Sequence, residues 1–139
     1  MVKFNPVNVT RISDGSNGGL KGQETYKLDN GVQFTVPVGQ KFSVKKGDDG
    51  QYYFDGLNGA TVVGSQGKDK IVFTNTQNTT INISNDNKGG DSVFFGPKTK
   101  GNIVVGDGKD MIQDRYGYQK NIQLMPNVFT FKQDGNVER

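Results

Sequence analysis

Gly64-Ser65-Gln66-Gly67-Lys68-Asp69, then Lys70-Ile71-Val72-Phe73, then Asn75-Thr76-Gln77-Asn78-Thr79, then Thr80-Ile81-Asn82-Ile83. A glycine-rich acidic turn, a short strand, a turn of different chemistry and a second short strand follow one another, with Thr74 alone between the first strand and the second turn. Ile71/Phe73 and Ile81/Ile83 alternate with other residues, which places them on one face of a half-buried strand. No window of the chain keeps the i, i+3, i+4, i+7 apolar spacing of an amphipathic helix.

The same four-part unit extends outward in both directions. Short β-type runs lie at Val32–Val36, Lys41–Val44, Gln51–Phe54, Ala60–Val63, Ser92–Phe95, Asn102–Val105, Met111–Gln113, Asn121–Leu124 and Val128–Phe131. The turns between them fall into two interleaved sets. One is acidic and glycine-rich: Asp29-Asn30-Gly31, Lys46–Gly50, Gly64–Asp69, Asp86–Asp91 and Gly106–Asp110. The other is more varied: Pro37–Gly39, Asp55–Gly59, Asn75–Thr79, Pro97–Gly101 and Arg115–Tyr118.

Marker glycines of the acidic set, Gly31, Gly50, Gly67, Gly89 and Gly108, are spaced by 19, 17, 22 and 19 residues. A period near 19 with two strands in each period is the arithmetic of a flattened coil. The expected fold is therefore all-β, a single-domain β-solenoid with about 19 residues per coil. Residues 31–114 supply the repeats. Residues 1–30 form an N-terminal cap or flexible segment, and 115–139 a C-terminal cap with Phe129 and Phe131 over the last coil. An antiparallel β-sandwich is the alternative, because it also has short strands every 8–12 residues or so. It does not predict that turn chemistry alternates.

Composition agrees with a fold of short elements. Apolar residues are 32% of the 139, and 20 residues are Gly. The nine Phe and five Tyr argue against disorder, since disordered chains are poor in aromatics. The inward set expected from alternation is Phe34, Phe42, Phe54, Val62, Ile71, Phe73, Ile81, Ile83, Val93, Phe95, Ile103, Val105, Ile112 and Ile122.

The chain has no Cys and no His. Disulfides, thiolate metal sites, Ser-His-Asp and Cys-His machineries and the usual zinc ligand sets are all excluded. Net charge is +3, with scattered lysines that often adjoin Asp. Nucleic-acid binding calls for a basic stripe or a known motif, and neither is visible. Glycine-rich turns without G-x-x-x-x-G-K-[ST] spacing or a following helix do not form a phosphate loop. Asp55, Asp107, Asp110 and Asp114 are available as acids for glycoside chemistry, but turn acids ordinarily serve the turn, and a non-catalytic role is expected. Tyr52, Tyr53, Tyr116 and Tyr118 read as ladder residues or as a stacking platform for a sugar. No N-terminal apolar stretch reads as a secretory signal, and no run approaches a membrane span. An extracellular location is expected, with the cytoplasm as alternative.

Three acidic turns carry a further pattern. Gly64-Ser65-Gln66-Gly67-Lys68-Asp69-Lys70-Ile71, Asp86-Asn87-Lys88-Gly89-Gly90-Asp91-Ser92-Val93 and Val105-Gly106-Asp107-Gly108-Lys109-Asp110-Met111-Ile112 each match part of G-G-x-G-x-D-x-U-x. Over about residues 60–115 the chain resembles the haemolysin-type (RTX) calcium-binding β-roll. That resemblance implies Ca²⁺ held between turns one coil apart, Asp69 with Asp91 and Asp91 with Asp110, with Gly67, Gly89, Gly108 and Asp107 shaping or lining the sites. Ca²⁺ takes roughly 6–8 oxygens from carboxylates and carbonyls. The pattern departs from the family in that only alternate turns match, and Lys68 and Lys109 precede two of the three aspartates. Two expectations follow. One is a secreted, Ca²⁺-binding module acting in structure or binding. The other is a Ca²⁺-independent adhesive module that contacts a polysaccharide or a cell-surface partner.

Overall fold

The computed structural model describes residues 2–14, 22–84, 90–106, 110–114, 118–124, 127–128 and 136–137. Gly89, Asp107 and Gly108 lie outside the described residues, as do Tyr116, Phe129 and Phe131.

The protein is all-β, and no helix occurs among the described residues. Its strands are β1 (Phe4–Pro6), β2 (Val9–Ser13), β3 (Gln23–Leu28), β4 (Gln33–Pro37), β5 (Ser43–Gly47), β6 (Tyr52–Asp55), β7 (Thr61–Val63) and β8 (Lys70–Thr74). They continue as β9 (Thr80–Ile83), β10 (Ser92–Phe95), β11 (Ile103–Gly106), β12 (Met111–Asp114), β13 (Asn121–Leu124), β14 (Asn127–Val128) and β15 (Asn136–Val137).

Two mixed sheets share them, in a sandwich-like arrangement. One has the order β1-β5-β6-β8-β10-β12-β15, the other β14-β13-β11-β9-β7-β4-β3-β2. From β6 to β13 each successive strand enters the opposite sheet. Neighbours in each sheet there run parallel: β6, β8, β10 and β12 in one, β7, β9, β11 and β13 in the other. The flanking pairs β1–β5, β5–β6, β2–β3, β3–β4, β4–β7, β12–β15 and β13–β14 are antiparallel.

The core lies between the sheets. Phe54, Phe73 and Phe95 occupy one position in β6, β8 and β10, and all three are fully buried. With Phe34 of β4 they form a continuous column, with ring centroids 5.2, 5.4 and 5.8 Å apart. Such ring pairs contribute about 0.5–1.5 kcal/mol each beyond their burial. In β12 the same position is Asp114, also fully buried. Tyr26 and Phe42 close the N-terminal side of the column against Phe34.

One strand has the opposite facing from that expected. Val104 is buried, while Ile103 and Val105 are only half-buried. Every residue of Ile103-Val104-Val105 is apolar, so alternation cannot choose the face. Pairing chooses it: Val104 sits beside the buried Ile81 of β9. A slip of one residue exchanges the two faces of a strand. Phe42 is half-buried against the core rather than within it. Ile122 pairs with Val104 through the backbone.

Candidate functional site

The sequence-chosen aspartates come together. Asp69, Asp91 and Asp110 each stand one residue before a strand, β8, β10 and β12. Because those strands pair in parallel and in register, the three residues stack along one edge, and each is at least 97% buried. The carboxylates are engaged within the stack. The backbone N–H of Asp69 donates to Oδ1 of Asp91 at 2.7 Å, and that of Asp91 to Oδ1 of Asp110 at 3.0 Å. At the near end the carboxylate of Asp69 accepts the Ser65 N–H at 2.8 Å and the Ser65 hydroxyl at 2.6 Å. The gap between residues 69 and 91 is filled by an N–H···O bond, and so is the gap between 91 and 110.

A second ladder runs along the opposite edge and was not anticipated. Ala60, Thr79 and Asn102 each precede a strand of the other sheet. The N–H of Ala60 donates to Oγ1 of Thr79 at 3.4 Å, that of Thr79 to Oδ1 of Asn102 at 3.0 Å, and that of Asn102 to Oε1 of Gln119 at 3.2 Å. Asn102 also donates to the Thr76 carbonyl at 3.0 Å. Both edges thus satisfy the N–H at a strand entry with a side-chain oxygen from the segment leading into the next strand of the same sheet. One edge uses carboxylates and the other neutral groups.

The varied turns share a conformation that their residues conceal. Gly56, Asn75 and Lys98 have φ of 90°, 46° and 61°; Gly59, Asn78 and Gly101 have 66°, 52° and 72°. Between each pair one residue is buried (Leu57, Thr76, Thr99), and the next is more exposed (Asn58, Gln77, Lys100). Backbone bridges join Asn58 to Gln77 and Gln77 to Lys100.

Gly67 is exposed in the turn before Asp69, and its N–H donates to the Ser65 hydroxyl at 3.2 Å. No group of three or more His, Cys, Asp or Glu side chains arranged to hold a metal occurs among the described residues. Four further acids of the described turns are tied into the fold. Asp55 accepts from the Thr74 hydroxyl at 2.5 Å, Asp29 from the Tyr52 hydroxyl at 2.9 Å, and Asp48 from the Lys3 N–H at 3.2 Å. Asp49 accepts from the Tyr53 hydroxyl and from Gln51. The Tyr53 hydroxyl, and after it the Gln51 amide, hold the Asp49 carboxyl below its ordinary pKa. Burial, and then hydrogen bonding to Asp29, pushes Tyr52 up to about 12. Burial, and then hydrogen bonding to Asp49, does the same for Tyr53.

One large cleft, of about 830 Å³, opens on the acidic-turn edge, where the turns at 29–31, 46–50 and 64–69 meet. Tyr52 lies in its wall, and Lys46 Nζ is 5.4 Å from the Tyr52 ring centre. No family model, curated protein or solved structure matches the chain.

Proposed function

We propose that this chain is a non-catalytic binding module built as a flattened β-solenoid, whose aspartate ladder is structural and works without Ca²⁺. Two parallel stacks with strands alternating between them support the coil reading. The single observation that carries the metal-independent reading is the ladder itself. Successive aspartates are linked by backbone N–H groups, and an N–H hydrogen carries the same sign of charge as the cation it would stand in for. The stack therefore gains charge-assisted hydrogen bonds without an ion. Commitment of the turn acids to Thr74, Tyr52, Tyr53 and Lys3 supports a module that binds rather than reacts. Its partner is a polysaccharide or a cell-surface component, met outside the cell.

The test is a thermal melt of metal-free protein in chelator, repeated in millimolar Ca²⁺. Coincident transitions are expected. An ion bound to the folded state alone at a hundredfold excess over Kd would add about 2.7 kcal/mol. A Ca²⁺-dependent rise of that order would return the RTX-like calcium roll as the better reading.

A further inference from the structure

The cleft on the acidic-turn edge is cationic despite the name of its turns. Four lysines line it, Lys27, Lys46, Lys68 and Lys70, against one acid, Asp69. All four lysines are exposed, whereas Asp69 is buried and both its oxygens are bonded to Ser65. Asp29, Asp48 and Asp49, in the turns beside the cleft, keep their charge but are not part of its lining; they are hydrogen-bonded to Tyr52, to the Lys3 amide, and to Tyr53 and Gln51 respectively.

The cleft has a topological cause. From β8 onward the aspartates that lead into the strands on this edge stack in register through the ladder. The turns at 29–31 and 46–50 join antiparallel pairs, β3 to β4 and β5 to β6. The position in register with Asp69 on the β6 side is Gly50, two residues before Tyr52 as Asp69 is before Ile71. Gly50 donates its N–H within its own turn, to Gly47. The ladder stops there, and a space opens where the antiparallel and parallel parts join.

We propose that this cleft binds an anionic oligosaccharide, a short run of uronate sugars. The inference rests on the reading of the chain as a binding module and names its ligand class and its site. Lysines are compact, hydrated point charges on flexible stems, suited to carboxylates spaced along a sugar chain. Asn30, Gln33 and Gln66 add neutral partners for hydroxyls. The volume falls within the range of about 300–1,000 Å³ found for small-ligand sites. A single-stranded nucleic acid fits less well. It binds by base stacking on aromatic rings, and the one ring in the wall, Tyr52, is 93% buried with its hydroxyl bonded to Asp29.

The experiment is titration calorimetry of the intact chain with a short oligogalacturonate, its fully methyl-esterified counterpart and an oligothymidylate of similar charge. Saturable oligogalacturonate binding is expected, weakened about tenfold or more between low salt and 0.5 M salt or so as the charges are screened. The methyl ester should bind at least about tenfold more weakly. The variant K46Q/K68Q/K70Q should lose at least about tenfold in affinity, while K98Q/K100Q, on the opposite edge, should bind like the parent. Unchanged thermal melts of both variants would assign the loss to the cleft. Equal binding of the ester, equal loss in K98Q/K100Q, tighter binding of the oligothymidylate, or no heat at millimolar oligogalacturonate would each overturn the proposal. Shortening of the oligosaccharide during titration would instead sink the non-catalytic reading and leave the cleft assignment standing.

Discussion

The N–H of Asp69 reaches the carboxylate of Asp91 at 2.7 Å across 22 residues of chain. An acidic side chain here replaces a backbone carbonyl as the acceptor for a buried N–H, which would cost about 1–3 kcal/mol if left unpaired. Asp91→Ala removes that acceptor and should destabilise by about 1.5–3 kcal/mol in urea unfolding. Asp91→Asn keeps Oδ1 and should cost distinctly less. If the two variants were equally damaging in Ca²⁺ and the damage disappeared in chelator, the carboxylate charge would be serving a metal.

Lys98 has a φ of 61° where the equivalent positions in the neighbouring turns are Gly56 and Asn75. A side chain with a bulky stem is strained there by about 1 kcal/mol, and Asn or Gly far less. Lys98→Asn should raise stability by roughly 0.5–1 kcal/mol, read as a shift of the denaturation midpoint at unchanged slope. A loss of stability would mean that the Lys98 side chain makes a contact worth more than the strain.

The facing of β11 yields a paired test. Val104→Asp places a charge in a fully buried site and should cost about 3 kcal/mol or more. Val105→Asp, on the half-buried outer face, should cost markedly less. The reverse order in thermal melts would restore the facing with Ile103 and Val105 inward.

Tyr52 and Tyr53 are both pushed up to about 12, above the unfolded value of about 10. A phenol harder to ionise in the folded state stabilises it while protonated. That contribution is whole below about pH 10 and is lost as pH climbs toward 12. Ultraviolet titration of native protein should show a late-ionising group of tyrosines that moves to about pH 10 in denaturant, and urea stability should fall across that window. Tyr52→Phe should reduce the late absorbance change. A single native transition near pH 10 would contradict the raised pKa of both phenols.

Strand positions were readable because β4 and β9 alternate apolar residues with polar ones and β6, β8 and β10 are short apolar runs bounded by turn residues, and the acidic turns because Gly and Asp are themselves the signal. The facing of β11 was not, since Ile103, Val104 and Val105 are all apolar; β8 and β10 likewise carry three consecutive apolar residues, and there the expected face is the buried one. The second ladder left no trace: Ala60, Thr79, Asn102 and Gln119 share no residue type, and what the last three have in common is a side-chain oxygen. The varied turns hid their recurrence for a similar reason. Gly, Asn and Lys look unrelated until backbone angles show all three in the left-handed region. The lysine cleft depends on where antiparallel pairing gives way to parallel, a property of register rather than of any local motif.

The outermost strands bear on self-association. A sheet margin with a long row of free N–H and C=O groups is a template on which another chain can extend the sheet. The outermost strands here are poor templates. β1 has three residues and contains Pro6, β14 and β15 have two each, and β2 shifts register between Arg11 and Ser13. The parallel stack, whose strands would otherwise accept an endless succession of copies, is enclosed by strands that offer little to pair with. The parallel pairing of each sheet thus gives way, among the described residues, to antiparallel margin strands that offer an incoming chain little to extend.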